Sequence, residues 1–207
     1  MKKIVLFAFA LSIFTISCKK EKETEKPTTV TEETAAATTS LSIVNDSTKV
    51  GWVAYKTTDK TPVKGSFKQI TLENTQSGTT PQEILEGATF SIPVSSVFTN
   101  DETRDGKLKD FFFGALKNTE LISGKIHFTD GVPVLAITLN GETREVIVNG
   151  SFNNNIYMFD GTINLDDFLA QNAVASLNKV CFDLHKGADG VSKTWSEVAI
   201  NGSVLFQ

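Results

Sequence analysis

From Val50 to Phe206 the apolar residues of this chain recur at every second position, in runs of five to twelve separated by turn-forming residues, and that period admits few folds. Val50, Trp52 and Ala54 oppose Gly51, Val53 and Tyr55 in a first strand. A second carries Val63, Gly65 and Phe67, then Ile70 and Leu72, and the break in parity between them predicts a bulge. Phe90, Ile92 and Val94 mark a third. Ile122 to Thr129 and Val132 to Leu139 follow, joined by Asp130-Gly131. Asn140-Gly141 predicts a type I′ hairpin into Glu142 to Phe152, because both central residues of that turn need φ > 0. After Asn153-Asn154-Asn155 come Ile156 to Leu165 and a last strand, Trp195 to Phe206, with Val198, Ile200, Gly202, Val204 and Phe206 on one face. The pairs Thr61-Pro62 and Thr80-Pro81 read as turns between elements. Eight strands joined mostly by hairpins predict an all-β domain with two helices. An antiparallel up-and-down meander of this size best removes its exposed edges by closing into a β-barrel.

Two stretches depart from period two. In Thr99 to Asn118, Leu108, Phe111, Phe112, Ala115 and Leu116 fall at i, i+3, i+4, i+7 and i+8, one face of an α-helix, and Thr99 with Glu102 has the spacing of a capping box. This helix either closes over an apolar cavity within the strands or packs on a solid core. Between the last two strands Asp166 or Asp167 can cap a helix whose Leu169, Ala173, Leu177, Val180, Cys181 and Leu184 form a stripe ending at Gly187.

The chain opens with a segment of another kind. Lys2 and Lys3, the apolar run Ile4 to Phe14, and Thr15-Ile16-Ser17-Cys18 have the layout of a secretory signal over residues 1–17. Eleven apolar-rich residues are too few for a spanning helix, which needs about 20. Cys18 after the small Ser17 resembles a bacterial lipobox, with Thr15 where leucine is usual, and predicts a lipidated N-terminus after cleavage. The alternative is an ordinary cleaved signal with an incidental cysteine. Residues 18–40 are then a lipidated cysteine and a tether. Lys19 to Ser40 is charged and rich in Thr, Ala and Glu, lacks aromatics, and cannot bury enough apolar surface to fold. Its coil reach is roughly 25 Å. The implied location is the periplasmic or cell-surface face of a bacterial membrane, the outer membrane being the expectation, with the membrane contacted through Cys18.

Removing signal and tether leaves residues 41–207, enough for one domain with a sizeable core. A net charge of −4 and only two arginines exclude nucleic acid as an expected partner. Cys181 is the one cysteine beyond Cys18, so no disulfide within the domain is expected. Catalysis finds little support. His127 and His185 have no partners at metal-ligand spacing, and no nucleophile elbow or phosphate-binding glycine loop occurs. Asp160, Asp166 and Asp167 read as turn and cap residues, and Asp183, His185, Asp189 and Gly190 near the last loop imitate a metal site but lack EF-hand spacing. The chain is expected to be neither an enzyme nor a holder of a metal or cofactor.

The order of Gly65-Ser66-Phe67, the Thr103 to Phe113 helix with Arg104-Asp105 ahead of Leu108 and the phenylalanines, the strand Gly124 to Phe128 and the hairpin Leu139 to Gly150 resembles the YceI-like family over Ser47 to Gln207. That resemblance implies a lipocalin-like barrel binding lipid or polyisoprenoid. The stretch Asn164 to Phe168 departs from the family's pattern, which commonly has Arg-x-Asp/Glu-Phe-Gly there. The expected ligand is an apolar chain: isoprenoid, quinone or acyl lipid. Each buried five-carbon unit contributes on the order of 4 kcal/mol. Eight such units exceed the practical ceiling near 20 kcal/mol, so cavity length does not give chain length. The expected lining is Trp52, Phe67, Phe90, Ile92, Phe111, Phe112, Leu135, Ile137, Phe159 and Ile163, with Arg104, Lys107 and Lys109 as contacts for an anionic head group. The competing expectation is a structural or interaction lipoprotein whose barrel core is filled by these same side chains.

Overall fold

Eleven strands form two antiparallel sheets in the computed structural model, which describes residues 40–44, 46–118 and 120–207. The expectations for the signal, Cys18 and nearly all of the tether lie outside the described residues. The first sheet has the order β5 (Val97–Phe98), β2 (Thr61–Phe67), β1 (Lys49–Lys56), β11 (Thr194–Leu205), β10 (Ile156–Asn164) and β9 (Asn149–Asn153). The second has β3 (Thr71–Glu73), β4 (Thr89–Pro93), β6 (Leu121–Thr129), β7 (Val132–Leu139) and β8 (Glu142–Ile147).

Three pairs of these strands carry the chain from one sheet into the other, β2 into β3 and β8 into β9 through bends and β4 into β5 through a 3₁₀ turn at Val94–Ser96. Corners of this kind let strongly twisted strands serve two sheets crossing at a steep angle. Counted this way the strands number eight, and each pairs with its neighbours in sequence, as the meander predicts. Neither ladder closes on itself. The ring is completed through the bent strands, where a single continuous ladder was expected. The β2–β3 bend at Lys68–Ile70 falls at the predicted bulge, and the β8–β9 bend is at Val148, whose side chain is 2% exposed. Asn140 and Gly141 have φ of 56° and 77°, and Asp130 and Gly131 51° and 80°, as a type I′ turn needs.

Both ends of the barrel are covered. At one end lies α1 (Pro81–Leu85), which replaces the turn expected at Thr80-Pro81. Thr80 accepts from the Glu83 backbone N–H, Glu83 accepts from the Thr80 N–H, and Pro81 occupies the first turn. Ile84 and Leu85 are driven against Val204 and Phe206, and all four are buried.

The other end carries the helical segment read at Thr99 to Asn118, and here the details differ from expectation. Asp101, not Thr99, is the N-cap of α2 (Glu102–Lys107), accepting from the Arg104 N–H at 3.0 Å. Thr99 instead donates through both its N–H and hydroxyl to buried Asp105, at 2.8 and 2.6 Å. From Leu108 to Phe112 the helix widens to π geometry, with the Phe113 N–H reaching the Leu108 carbonyl, and a 3₁₀ turn at Phe113–Ala115 ends it. The wider turn rotates the apolar face by about one residue. Phe112, Phe113 and Leu116 are therefore buried, while Phe111 is 39% exposed and Ala115 is exposed.

A second helix, α3 (Gln171–Val180), lies against the π turn. The chain reaches it through a 3₁₀ turn, Leu165–Phe168, capped by Asn164. Leu169 follows in the left-handed conformation at φ 54° with an exposed side chain. The apolar stripe therefore runs through Ala170, Ala173, Val174, Leu177 and Cys181, and Leu169 and Leu184, expected on it, face solvent. Asn140, at the tip of the β7–β8 hairpin, ties the two helical segments together. Its Nδ2 donates to the Phe168 and Leu169 carbonyls at 2.8 and 3.0 Å, and its Oδ1 accepts from the Lys117 N–H at 2.7 Å.

Candidate functional site: an apolar cavity in the barrel

The inward face of every long strand is apolar, and the side chains do not fill the space between them. A cavity of about 190 Å³ runs from Leu85, Val204 and Tyr157 at the α1 end to Leu108, Phe113, Val174 and Leu177 beneath the helices. Its lining is hydrocarbon almost throughout. Such a space stays dry, since a water needs two to four polar partners. An engineered cavity of about 150 Å³ with similar lining holds benzene. In this conformation the cavity suits a somewhat larger hydrocarbon segment, and a long chain requires the rings to swing or part of the chain to lie outside.

Pairs of glycine and aromatic residues shape the walls. Trp52 lies opposite Gly65, Phe90 opposite Gly124, and Phe159 between Gly202 and Gly150. A Cβ on Gly65, Gly124 or Gly202 would collide with the ring facing it. The missing side chain lets each ring lie flat along the wall instead of standing across the lumen.

Nine of the ten residues expected in the lining are there: Trp52, Phe67, Phe90, Ile92, Phe112, Leu135, Ile137, Phe159 and Ile163. Phe111 is not, because the π turn puts Phe113 in its place. Phe113 packs edge-on to Phe67 and Phe112, with centroids 6.3 and 5.0 Å apart. Leu108, Ile122, Ile126, Val198, Ile200 and Val204 also line the cavity. Except for Leu108 these were legible, since each shares strand parity with a predicted apolar face.

The residues expected to hold a head group are placed otherwise. Arg104 lies 3.4 Å from Asp101 within its own helix turn, Lys107 and Lys109 are half-buried on the same segment, and none of the three lines the cavity. Lys107 acts at a distance. Together with Lys56 it adds to desolvation in drawing the His185 imidazole down to about 4, so that ring is neutral near pH 7. Its Nδ1 is 2.6 Å from the Thr194 hydroxyl. Burial pushes the Cys181 thiol up, and the nearby cations only partly offset this, so it is a poor nucleophile. His127 faces outward, 3.6 Å from Glu145. Asp160, Asp183 and Asp189 hold Asn149, Lys186 and the Val191 N–H respectively. Among the described residues no three His, Cys, Asp or Glu side chains converge as a metal site.

An antiparallel eight-strand ring with an apolar lumen and helical covers defines a lipocalin-like barrel. The chain belongs to the YceI-like family, whose model, the YceI-like domain, matches residues 41–204. A polyisoprenoid binding domain from Saccharophagus degradans is similar in structure at 13% identity, with a TM-score of 0.53, covering 81% of this chain and 97% of that one. BcnA of Burkholderia cenocepacia is similar at 19% identity, with a TM-score of 0.52, covering 80% of this chain and 99% of that one. At these identities the likeness shows the fold. A comparison with curated proteins finds none that matches.

Proposed function

We propose that this protein is an exported, lipid-anchored carrier that holds an apolar chain, an isoprenoid, quinone or acyl lipid, inside its barrel. The observation that carries the reading is the cavity of about 190 Å³ with its almost wholly hydrocarbon lining. A domain selected only for stability gains from filling such a space, because unfilled volume forfeits packing energy. The glycine–aromatic pairs act in the same direction by keeping the lumen clear. The polyisoprenoid-binding structural relative supports an extended apolar ligand. The signal-like segment before Cys18 supports export and anchoring.

The test is extraction. The chain, recovered under mild conditions, is expected to yield a stoichiometric apolar molecule to organic solvent, identified by mass spectrometry. An empty protein that also fails to take up prenyl lipids, quinones or fatty acids when offered would sink the carrier reading and favour an interaction role for the barrel surface. Mass analysis of the mature N-terminus decides the anchor, which predicts diacylated or triacylated Cys18 as the first residue.

A further inference from the structure

Beside the apolar cavity, between α3 and the start of β11, lies a second space of about 260 Å³, open to solvent, whose lining mixes the apolar Val174 and Ala175 with polar side chains. Val174 and Thr194 line both, so the two spaces adjoin there. On the groove side the polar groups are amides, hydroxyls and one charge of each sign.

Two separate sets of hydrogen bonds fix these groups. Asn178 Oδ1 accepts from the Thr194 hydroxyl at 2.9 Å and from the Ser192 hydroxyl at 3.3 Å. Thr194, its proton given to Asn178, accepts from His185 Nδ1–H. Ser196 donates to Asp166 Oδ1 at 2.8 Å. Valences remain. Asn178 Nδ2 has only a 3.5 Å contact to the Ser192 carbonyl, and no hydrogen bond to Asp166 Oδ2 or to the Gln171 side-chain oxygen occurs among the described residues. The groove thus offers a donor beside two acceptors, and the carboxylate of Asp166 balances the ammonium of Lys193, which rests 3.4 Å from the Trp195 ring centroid.

Resting on the carrier reading above, we propose that this groove seats the head group of the bound chain, and that the head group is uncharged and both donates and accepts hydrogen bonds, as a hydroxyl or carboxamide does. The tail lies in the barrel and passes Val174 and Thr194. A phosphate or carboxylate head is disfavoured, because it would meet Asp166 with a single lysine in compensation. The three cations on the α2 side, the place expected from sequence, take no part.

The test uses the full chain with Cys18→Ser, so that no acyl chain of its own competes, stripped of bound lipid on a hydrophobic resin. N-phenyl-1-naphthylamine reports on the apolar cavity, and four twelve-carbon competitors, 1-dodecanol, dodecanamide, dodecanoate and dodecyl phosphate, displace it. The alcohol and amide are expected to compete at concentrations about tenfold below the two anions, and Asp166→Asn to narrow that gap at least threefold. Ala175→Trp, which fills the groove from α3, is expected to weaken the alcohol and amide while leaving reporter binding unchanged. Anions competing as well as the alcohol, or an Ala175→Trp chain that still prefers the alcohol, overturns the head-group assignment alone. Failure of the reporter to bind the apolar cavity of the Cys18→Ser chain overturns the carrier reading beneath it.

Discussion

Phe113→Ala and Phe111→Ala differ by two positions in a run of three phenylalanines, and the π turn makes their consequences diverge. Phe113 is 6% exposed and touches two other rings, whereas Phe111 is 39% exposed. Truncating a buried phenylalanine costs about 3–5 kcal/mol. One side of Phe113 already faces the cavity, so fewer contacts are lost there and about 3 kcal/mol is expected. For Phe111, part of whose burial survives in either state, about 1 kcal/mol or less is expected. With a urea dependence of about 2 kcal/mol per molar, the Phe113 variant should unfold about 1.5 M earlier and the Phe111 variant within about 0.5 M of the parent. Fluorescence of Trp52 and Trp195 follows the transition. Equal shifts, or a larger one for Phe111, would refute the π turn and restore a regular helix with the face predicted by its spacing.

Three further outcomes follow from the same geometry. Gly65→Val forces the Trp52 ring off the wall into the lumen, so uptake of an apolar dye should fall at least tenfold while circular dichroism keeps the β signature, at a stability cost of about 1–3 kcal/mol. Asn140→Gly preserves the left-handed turn but removes three hydrogen bonds between the helical covers, and should cost about 2 kcal/mol and speed proteolysis between Leu165 and Leu169. His185, drawn from 6.5 to about 4 in the fold, binds its proton more readily when unfolded, so stability rises with pH across that window and is lost as pH falls through it. Screening of the half-buried ring limits the loss to about 1–2 kcal/mol. Urea midpoints at pH 7 and pH 5 should therefore converge in His185→Gln.

The strands and their order were legible because each sheet face is set by a local parity, and the turn chemistry at Asp130-Gly131 and Asn140-Gly141 fixes register between neighbours. Of the nine expected residues that line the cavity, eight follow from that parity alone, and Phe112 from the helical spacing. Helix α1 was legible too, in the Thr-Pro-x-Glu pattern from Thr80 to Glu83, but the Thr-Pro pair was read only as a turn. Other features depend on groups that meet only in the fold. Thr99 stops being a cap because Asp105 is buried beside it, and the helix widens at Leu108 so that Phe113 can meet Phe67. The groove joins Asp166 and Asn178 to Ser192 and Ser196, which no local pattern links.

The alternation of apolar residues by itself determined that this chain forms an antiparallel ring with a hydrocarbon interior, since the sign of each side chain's exposure is a property of its position along one strand. Whether that interior is full or hollow was decided by the tertiary structure. It depends on how far opposite walls stand apart and on which rings find a glycine to lie against, distances fixed jointly by strands far apart in sequence.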